Sequence, residues 1–482
     1  MALVGPNEDD NATGDLDIKS DVTIQGTGAS IPVVDGNQLD RVLQVHASVT
    51  VTLTGVMISN GRAPDGASSG SSGGDGGDGG GIANAGTLTL TNCDIDGNRA
   101  GNGAGGYGEP SNGGDGGRGG GIFNAGTLAL ETSIVRDNVS GEGGTGAFPG
   151  FAGAAGHGGG IYNAGTLVMN GSTIRGNSTS IGGEQFTPVA SNSGSGGYGG
   201  GIYNAGSLTL DGSTIHGNRT ANGGAGVGTH GGPGDGGHGG GIYNANTLGL
   251  SNSTVSGNIT GNGGEHLFSP GDGGDGGGIY NAGTLAMDNG TISANITGNG
   301  GASMMGGSGD GGDGGGLYSA DTLTTDNGAS AGDGVSAVGG SSVDDARPTG
   351  GSAVAISSQL RNTILAGNSS AHAGPDCSGI LASAGYNLVQ VVNGCAIAGD
   401  TTANIVGMDP LLRPLADNGG PTWTQALAPG SAAVDVGSCI RIGGAAITMD
   451  QRGIVRPQGV ACDVGAYEAP VFPQVYLPIV LR

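Results

Sequence analysis

The sequence predicts an all-β chain, a right-handed parallel β-helix of about ten coils. Three observations carry this: a composition that disfavours helix, a phrase that returns every 37 to 41 residues, and columns of like residues that align when the repeats are stacked. Glycine supplies 114 of 482 residues, against a usual level of about 7%. Nearly all the acidic residues are Asp, and Lys19 is the single lysine. Asp, Gly and Asn favour turns, whereas Glu and Lys favour helix interiors, so a mostly helical chain is excluded. A formal charge of −25 argues against nucleic acid or an anionic membrane as partner, because phosphate contacts need Lys and Arg. No apolar run approaches the ~20 residues needed to span a bilayer as a helix.

The recurring phrase is Gly-Gly-Gly-Ile-x-Asn-Ala-Gly-Thr-Leu, with its Ile or Leu at Ile82, Ile122, Ile161, Ile202, Ile242, Ile279 and Leu317. Each repeat has two unlike halves. In the stretch from Gly201 to Asn218, three short period-two pieces (Ile202-Tyr203-Asn204, Leu208-Thr209-Leu210, Thr214-Ile215-His216) are separated by corner residues. Three strands and three corners in about 20 residues make one β-helix coil. Stacking aligns Leu88, Leu128, Leu167, Leu208, Leu248, Leu285 and Leu323 on one inner face, and Ile95, Val135, Ile174, Ile215, Val255 and Ile292 on another. Asn84, Asn124, Asn163, Asn204, Asn244 and Asn281 form an amide ladder that Ser319 interrupts. Residues 1–60 read as N-terminal coils and 61–325 as seven repeats. Residues 326–368 read as a degenerate loop and a last coil, 369–468 as a C-terminal cap, and 469–482 as an apolar extended tail.

The other half of each repeat is a Gly-rich loop ending in Gly-Gly-x-Gly-Gly-x-Gly-Gly-Gly or a near relative. A period of three matches the polyproline II helix, and glycine lets such helices approach closely. The loops are expected to be ordered and stacked beside the coils; flexible linker is the competing reading. The x columns place Asp75, Asp78, Asp272, Asp275, Asp310 and Asp313 in neighbouring loops. Two readings stand for them, calcium ligation and plain solvated charge. No other cofactor is expected. Phe123, Tyr162, Tyr203, Tyr243, Tyr280 and Tyr318 point outward by period two. They read either as a platform for sugar rings or protein, or as a surface that the loops fold over. Arg136, Arg175 and His216, followed by Ser256, form an exposed basic column, and Asp211 and Asp288 have no acidic neighbour in the adjacent repeat. That pattern reads as solvated surface rather than a catalytic groove. Asn138, Asn177, Asn218, Asn258, Asn295 and Asn368 each begin an Asn-x-Ser/Thr triplet, a corner residue or a glycan acceptor.

The repeats resemble those of bacterial surface β-helices, including polymorphic outer-membrane protein repeats. The C-terminal phrases NTILAGN (Asn362 to Asn368), LADNGGPT (Leu415 to Thr422), DQRG (Asp450 to Gly453) and CDVGAYE (Cys462 to Glu468) resemble the choice-of-anchor Q domain of secreted bacterial β-helix proteins. The loops are longer than that pattern, and its upstream CSLREA-type segment and signal peptide are not in the sequence. The resemblance implies export and display at the cell surface or outside it. Cys377, Cys395, Cys439 and Cys462 allow three pairings; the resemblance implies the two local ones. Cys93 reads as a small buried thiol.

The functional expectation is a non-enzymatic structural or adhesive protein, with a polysaccharide lyase or hydrolase as the alternative. The expected partners are carbohydrate, cell-surface components or further copies of the chain. Val471, Phe472, Val475, Tyr476, Leu477, Ile479, Val480 and Leu481 give the tail an apolar character. Such a tail is expected to lie along its own rod, to dock on a surface receptor, or to complete the open edge of the next subunit and so build filaments.

Overall fold

In the computed structural model the chain is a right-handed parallel β-helix with three sheets. It describes residues 14–70, 72–107, 111–146, 150–184, 193–226, 232–303, 305–320 and 358–471. One coil shows the plan. Ile202–Asn204 belongs to the first sheet, Ser207–Asp211 to the second and Thr214–His216 to the third. Each pairs in parallel with its counterparts on neighbouring coils, and the third sheet has eleven strands. Alternation puts Ile202, Leu208, Leu210 and Ile215 inside with no exposed surface. Each such burial stabilises the fold by about 1.5–3 kcal/mol. The corner between the second and third sheets needs a left-handed residue on every coil. Asn92, Thr132, Gly171, Gly212, Asn252, Asn289 and Asn362 fill it with φ between 45° and 60°.

Buried amides fix the register between coils. Asn84, Asn124, Asn163, Asn204 and Asn244 each donate Nδ2–H to Oδ1 of the next Asn at 2.7–2.8 Å. Asn281 donates instead to Ser358 Oγ at 2.9 Å. A second ladder runs from Asn98 through Asn138, Asn177, Asn218, Asn258, Asn295 and Asn368 to Asp376. Its members from Asn138 to Asn368 are the residues that begin the Asn-x-Ser/Thr triplets, and their side chains are buried, so the glycan-acceptor reading gives way to the corner one.

Two boundaries differ from the sequence reading. The second-sheet slot after Leu285 is filled by Ser358–Arg361, with Leu285 opposite Ser358. Leu323, placed in that column by repeat spacing, lies outside the described residues. The coils also continue beyond residue 369. Cys377–Ala384 pairs in both the first and second sheets, and Cys395–Asp400 and Ile405–Val406 add a last partial coil. The separate C-terminal module is therefore 407–469, held by antiparallel bridges such as Leu412 with Leu427 and Gly437 with Cys462. Disulfides join Cys377 to Cys395 and Cys439 to Cys462, with Cα separations of 5.5 and 5.4 Å. Val471 is exposed; Phe472, Val475, Tyr476, Leu477, Ile479, Val480 and Leu481 lie outside the described residues.

The Gly-rich loops are extended and stacked in two layers. Gly77 N–H donates to Pro64 O, Gly101 to Gly77, Gly117 to Gly101 and Gly141 to Gly117, zigzagging between outgoing and returning limbs. Three residues along, Ala104 donates to Gly74, Gly114 to Ala104 and Gly144 to Gly114. This spacing is the three-residue turn of polyproline II. A Cβ on Gly101 would overlap the Pro64 carbonyl, so side chains are excluded where the limbs cross.

Truncating one rung tests the ladders. Asn204→Ala leaves Asn244 Oδ1 buried without its donor and takes one of several acceptors from Asn163 Nδ2, at a cost of about 1–3 kcal/mol for an orphaned group. The urea midpoint is expected to fall, whereas the exposed Thr247→Ala leaves it nearly unmoved.

Candidate functional site on the third sheet

Three-residue strands of the third sheet point their first and last side chains outward. In register these are Asp94 and Asp96, Ile134 and Arg136, Thr173 and Arg175, then Thr214 and His216. Arg136 lies between two carboxylates of the preceding coil, with Nη2 2.6 Å from Asp96 Oδ2 and 3.1 Å from Asp94 Oδ2. Its Nη1 also reaches Asp137 Oδ2 at 3.3 Å. Burial raises the Asp96 pKa above the ordinary carboxylate value; Arg136 opposes that rise, and Asp94 and Asp137 add to it. Arg136 and Arg175 are thus part of a mixed-charge cluster rather than a plain basic column. Aligning Asp96 with Arg136 in the sequence columns is the signal that would have found it.

The C-terminal module covers the rest of this sheet and sets where the open strip ends. Thr422 Oγ1 donates to Gly212 O at 2.8 Å, and Thr214 Oγ1 donates to Trp423 O at 2.7 Å. Thr254 Oγ1 donates to Gln451 Oε1 at 2.6 Å, and Gln451 Nε2 donates to Thr214 Oγ1 at 2.8 Å. Gln425 bonds Ser293, and Asn362 donates to Asp463 O. Leu427, Ala433, Val464 and Tyr467 pack on Ile364, Ala366 and Leu388 of the rod. Inside the module, Arg456 is fully buried beside Glu468 at 3.5 Å and donates to the Asp463 and Gly465 carbonyls. The LADNGGPT, DQRG and CDVGAYE phrases supply most of these contacts, so what they encode is docking. At the front edge of the module Trp423, 50% exposed, stacks on His216 with ring centroids 5.6 Å apart. Burial, with repulsion from Arg175, pushes the His216 pKa down to about 4, so its imidazole is neutral in ordinary buffers.

The aromatic column of the first sheet is a continuous stack. Centroid distances run from 5.4 Å for Phe123–Tyr162 down to 4.8 Å for Tyr243–Tyr280, and Tyr280–Tyr318 is 4.9 Å. The returning loops lay a second row over it. Arg118 sits 4.8 Å from the Tyr162 ring centroid, His157 4.8 Å from Tyr203, Tyr198 5.1 Å from Tyr243, and His238 4.9 Å from Tyr280. The rings are half-buried between coil and loop, which favours the covered reading over an open platform. Burial among the neighbouring tyrosines raises the Tyr280 pKa, and burial pushes that of Tyr318 up to about 12.

The Asp columns are spaced one per coil, and most of their carboxylates accept a backbone N–H from the next loop. Asp75 Oδ1 accepts from Asp115, Asp78 from Arg118, Asp272 from Asp310, Asp275 from Asp313, and Asp313 from Ala373, at 2.7–2.8 Å. Asp310 stands in the same column above Asp272. Among the described residues no group of three or more His, Cys, Asp or Glu side chains is placed to hold a metal ion. Among them, too, no helix is long and apolar enough to cross a membrane.

No family model matches the chain, and no curated protein matches it. Among solved structures the chain is similar to the crystal structure of pectate lyase Pel9A, at 12% identity over 95% of this chain and 89% of that one, with a TM-score of 0.31. That structure is an enzyme's, and on this finding the expectation of a chain without enzymatic activity is withdrawn. The fold itself rests on the strand pairing described above.

Two groups between loop and coil set opposite pH dependences. Burial, with Arg118 nearby, pushes the His157 pKa down to about 4. Unfolded histidine titrates near about 6.5, so this site loses stability as pH falls below that value. Burial pushes the Asp275 pKa up to about 7. An unfolded Asp ionises near about 3.9, so stability falls as pH rises through the interval between the two values. His157→Phe keeps the ring stack and is expected to flatten the acid side of a melting-temperature profile. Asp275→Asn keeps the Oδ1 acceptor and is expected to raise the melting temperature near pH ~8. Unchanged profiles contradict this account.

Proposed function

We propose that the chain is an extracellular polysaccharide-active β-helix enzyme that binds a sugar chain along the open third-sheet strip. The observation that supports this most is the Asp94–Arg136–Asp96 cluster, in line with Arg175, neutral His216 and the exposed ring of Trp423. Glycoside hydrolysis needs one carboxyl held protonated to supply the leaving oxygen and a second carboxylate nearby. Asp96, with its raised pKa, fits the acid. Asp94 fits the second carboxylate, and Arg136 fixes the geometry of both. Trp423 offers an apolar face for a sugar ring, with its position set by Thr214 and His216. Two disulfides fit an oxidising compartment, and the choice-of-anchor Q resemblance of the C-terminal phrases adds support for display at the cell surface.

The test is turnover on a panel of soluble polysaccharides, followed both as new reducing ends and as ultraviolet absorbance of unsaturated products. Hydrolysis yields the first without the second, whereas a lyase yields both. Asp96→Asn is expected to lower kcat by about 10²–10⁴-fold. Activity should also fall as pH rises through the Asp96 pKa, because the acid must carry its proton. Trp423→Ala is expected to raise KM while holding kcat, the signature of lost ground-state binding. Full activity in Asp96→Asn, or no cleavage of any polysaccharide, overturns the proposal.

A further inference from the structure

A cleft of about 470 Å³ lies where the C-terminal module meets the corner between the second and third sheets. Its rod wall carries Asn170, Asp211 and Asn252 from three successive coils, and its module wall carries Arg441 and Met449, with Pro421 at the junction. Asn170 stands opposite Asp211 and Asp211 opposite Ser251 in the pairing register, so the corner holds polar groups at one-coil spacing.

These lining groups have hydrogen-bonding capacity beyond the bonds they make. Asn252 Nδ2 donates to Asp211 Oδ1 at 3.1 Å, and Asp211 Oδ2 has no hydrogen-bond partner among the described residues. Arg441 Nη1 donates to Ser251 Oγ at 3.1 Å and its charge is attracted to nearby Asp288, while its Nη2 and Nε have no hydrogen-bond partner among the described residues. One wall thus offers an acceptor and the other offers donors. That is the complement of adjacent hydroxyls, each of which donates once and accepts once. Met449, 52% exposed, and Pro421 supply apolar surface for the C–H face of a ring. The charges of the lining balance: Asp211 and Asp450 against Arg441 and Arg452, with Asp450 and Arg452 paired to each other at 2.6 Å. A balanced lining favours no net charge on the ligand. The volume falls in the range of about 300–1,000 Å³ usual for small-molecule sites.

We infer that this cleft is a binding site for a neutral sugar, with Asp211 and Arg441 bridging adjacent hydroxyls and Met449 under the ring. Pro421 lines the cleft while Trp423, two residues on, stacks on His216, so the cleft is a neighbour of the third-sheet strip and separate from it. Turnover and its loss in Asp96→Asn read the strip, whereas loss of binding in the cleft variants reads the cleft, so either proposal fails without the other.

The experiment is calorimetric titration of the full chain with neutral cello-, xylo-, manno- and galacto-oligosaccharides, with oligogalacturonate as the charged comparison. At least one neutral series is expected to bind. Asp211→Asn and Arg441→Gln are each expected to weaken that binding by about ten-fold, the equivalent of one good hydrogen bond. Met449 is exposed, so Met449→Asp removes the apolar surface under the ring and adds a charge to the lining without disturbing a core, and it is expected to abolish the same binding. Melting temperatures of all three variants, matched to the parent, identify a folded protein. The inference is overturned if no neutral series binds, if oligogalacturonate alone binds, or if Met449→Asp leaves the binding intact.

Discussion

Register between coils is the constraint on which everything else in this molecule rests. A strand slipped by one residue exchanges its inward and outward faces. Here such a slip would drive Leu208 and Leu210 into solvent and separate the Asn204 amide from Asn163 and Asn244. Apolar burial resists any outward turn, while the amide ladders resist a shift along the strand, because each buried amide has its partners in one register only. The two terms act on different displacements and are both needed. Together they hold the loops as well. The returning limb enters the first-sheet strand directly, so its Gly, Asp and ring positions inherit the coil's spacing.

Periodicity of this kind builds a rod but gives each coil the same chemistry. Local differences arise where a column changes composition. The last outward position of the third sheet runs Asp96, Arg136, Arg175, His216, Ser256, Ser293 and Ala366, from charged to apolar. The C-terminal module covers the small and apolar end and leaves the charged end open, with Trp423 at the border. Its covering is tied down by hydroxyl and amide groups, chiefly Thr214, Thr254 and Gln451, and by one small apolar cluster. Chemical variety along this sheet lies in its open charged end and at the border where the module begins.

The coils were legible because their columns are periodic and because Gly and Asn mark their corners. The stacked loops were legible for the same reason: their three-residue period is written in glycine. The module's docking was not, because Gln451, Thr422 and Trp423 meet residues some 200 positions earlier in no repeating pattern. The end of the β-helix was misplaced because Cys377–Ala384 runs through two sheets without the usual corner phrase. The second row over the tyrosines was overlooked for a different reason. Arg118, His157, Tyr198 and His238 do not belong to one residue class, yet each presents a flat group to the ring below. Reading that column by planarity rather than by residue class reveals it.

The reach of the module has a consequence for how such a gene can change. Its contacts span the coils from Gly171 and Gly212 through Thr254 and Ser293 to Asn362. Duplicating or deleting one whole coil inside that span would offset every later anchor by a full strand spacing. The same event between Ile82–Asn84 and Glu131 meets no such clamp among the described residues, where the coils pair only with their neighbours. Unequal crossing-over among the near-identical repeat phrases is therefore filtered by position. Docking leaves copy number free on the amino-terminal side, except for the coil that sets Asp94 and Asp96 against Arg136, and the clamped coils keep theirs.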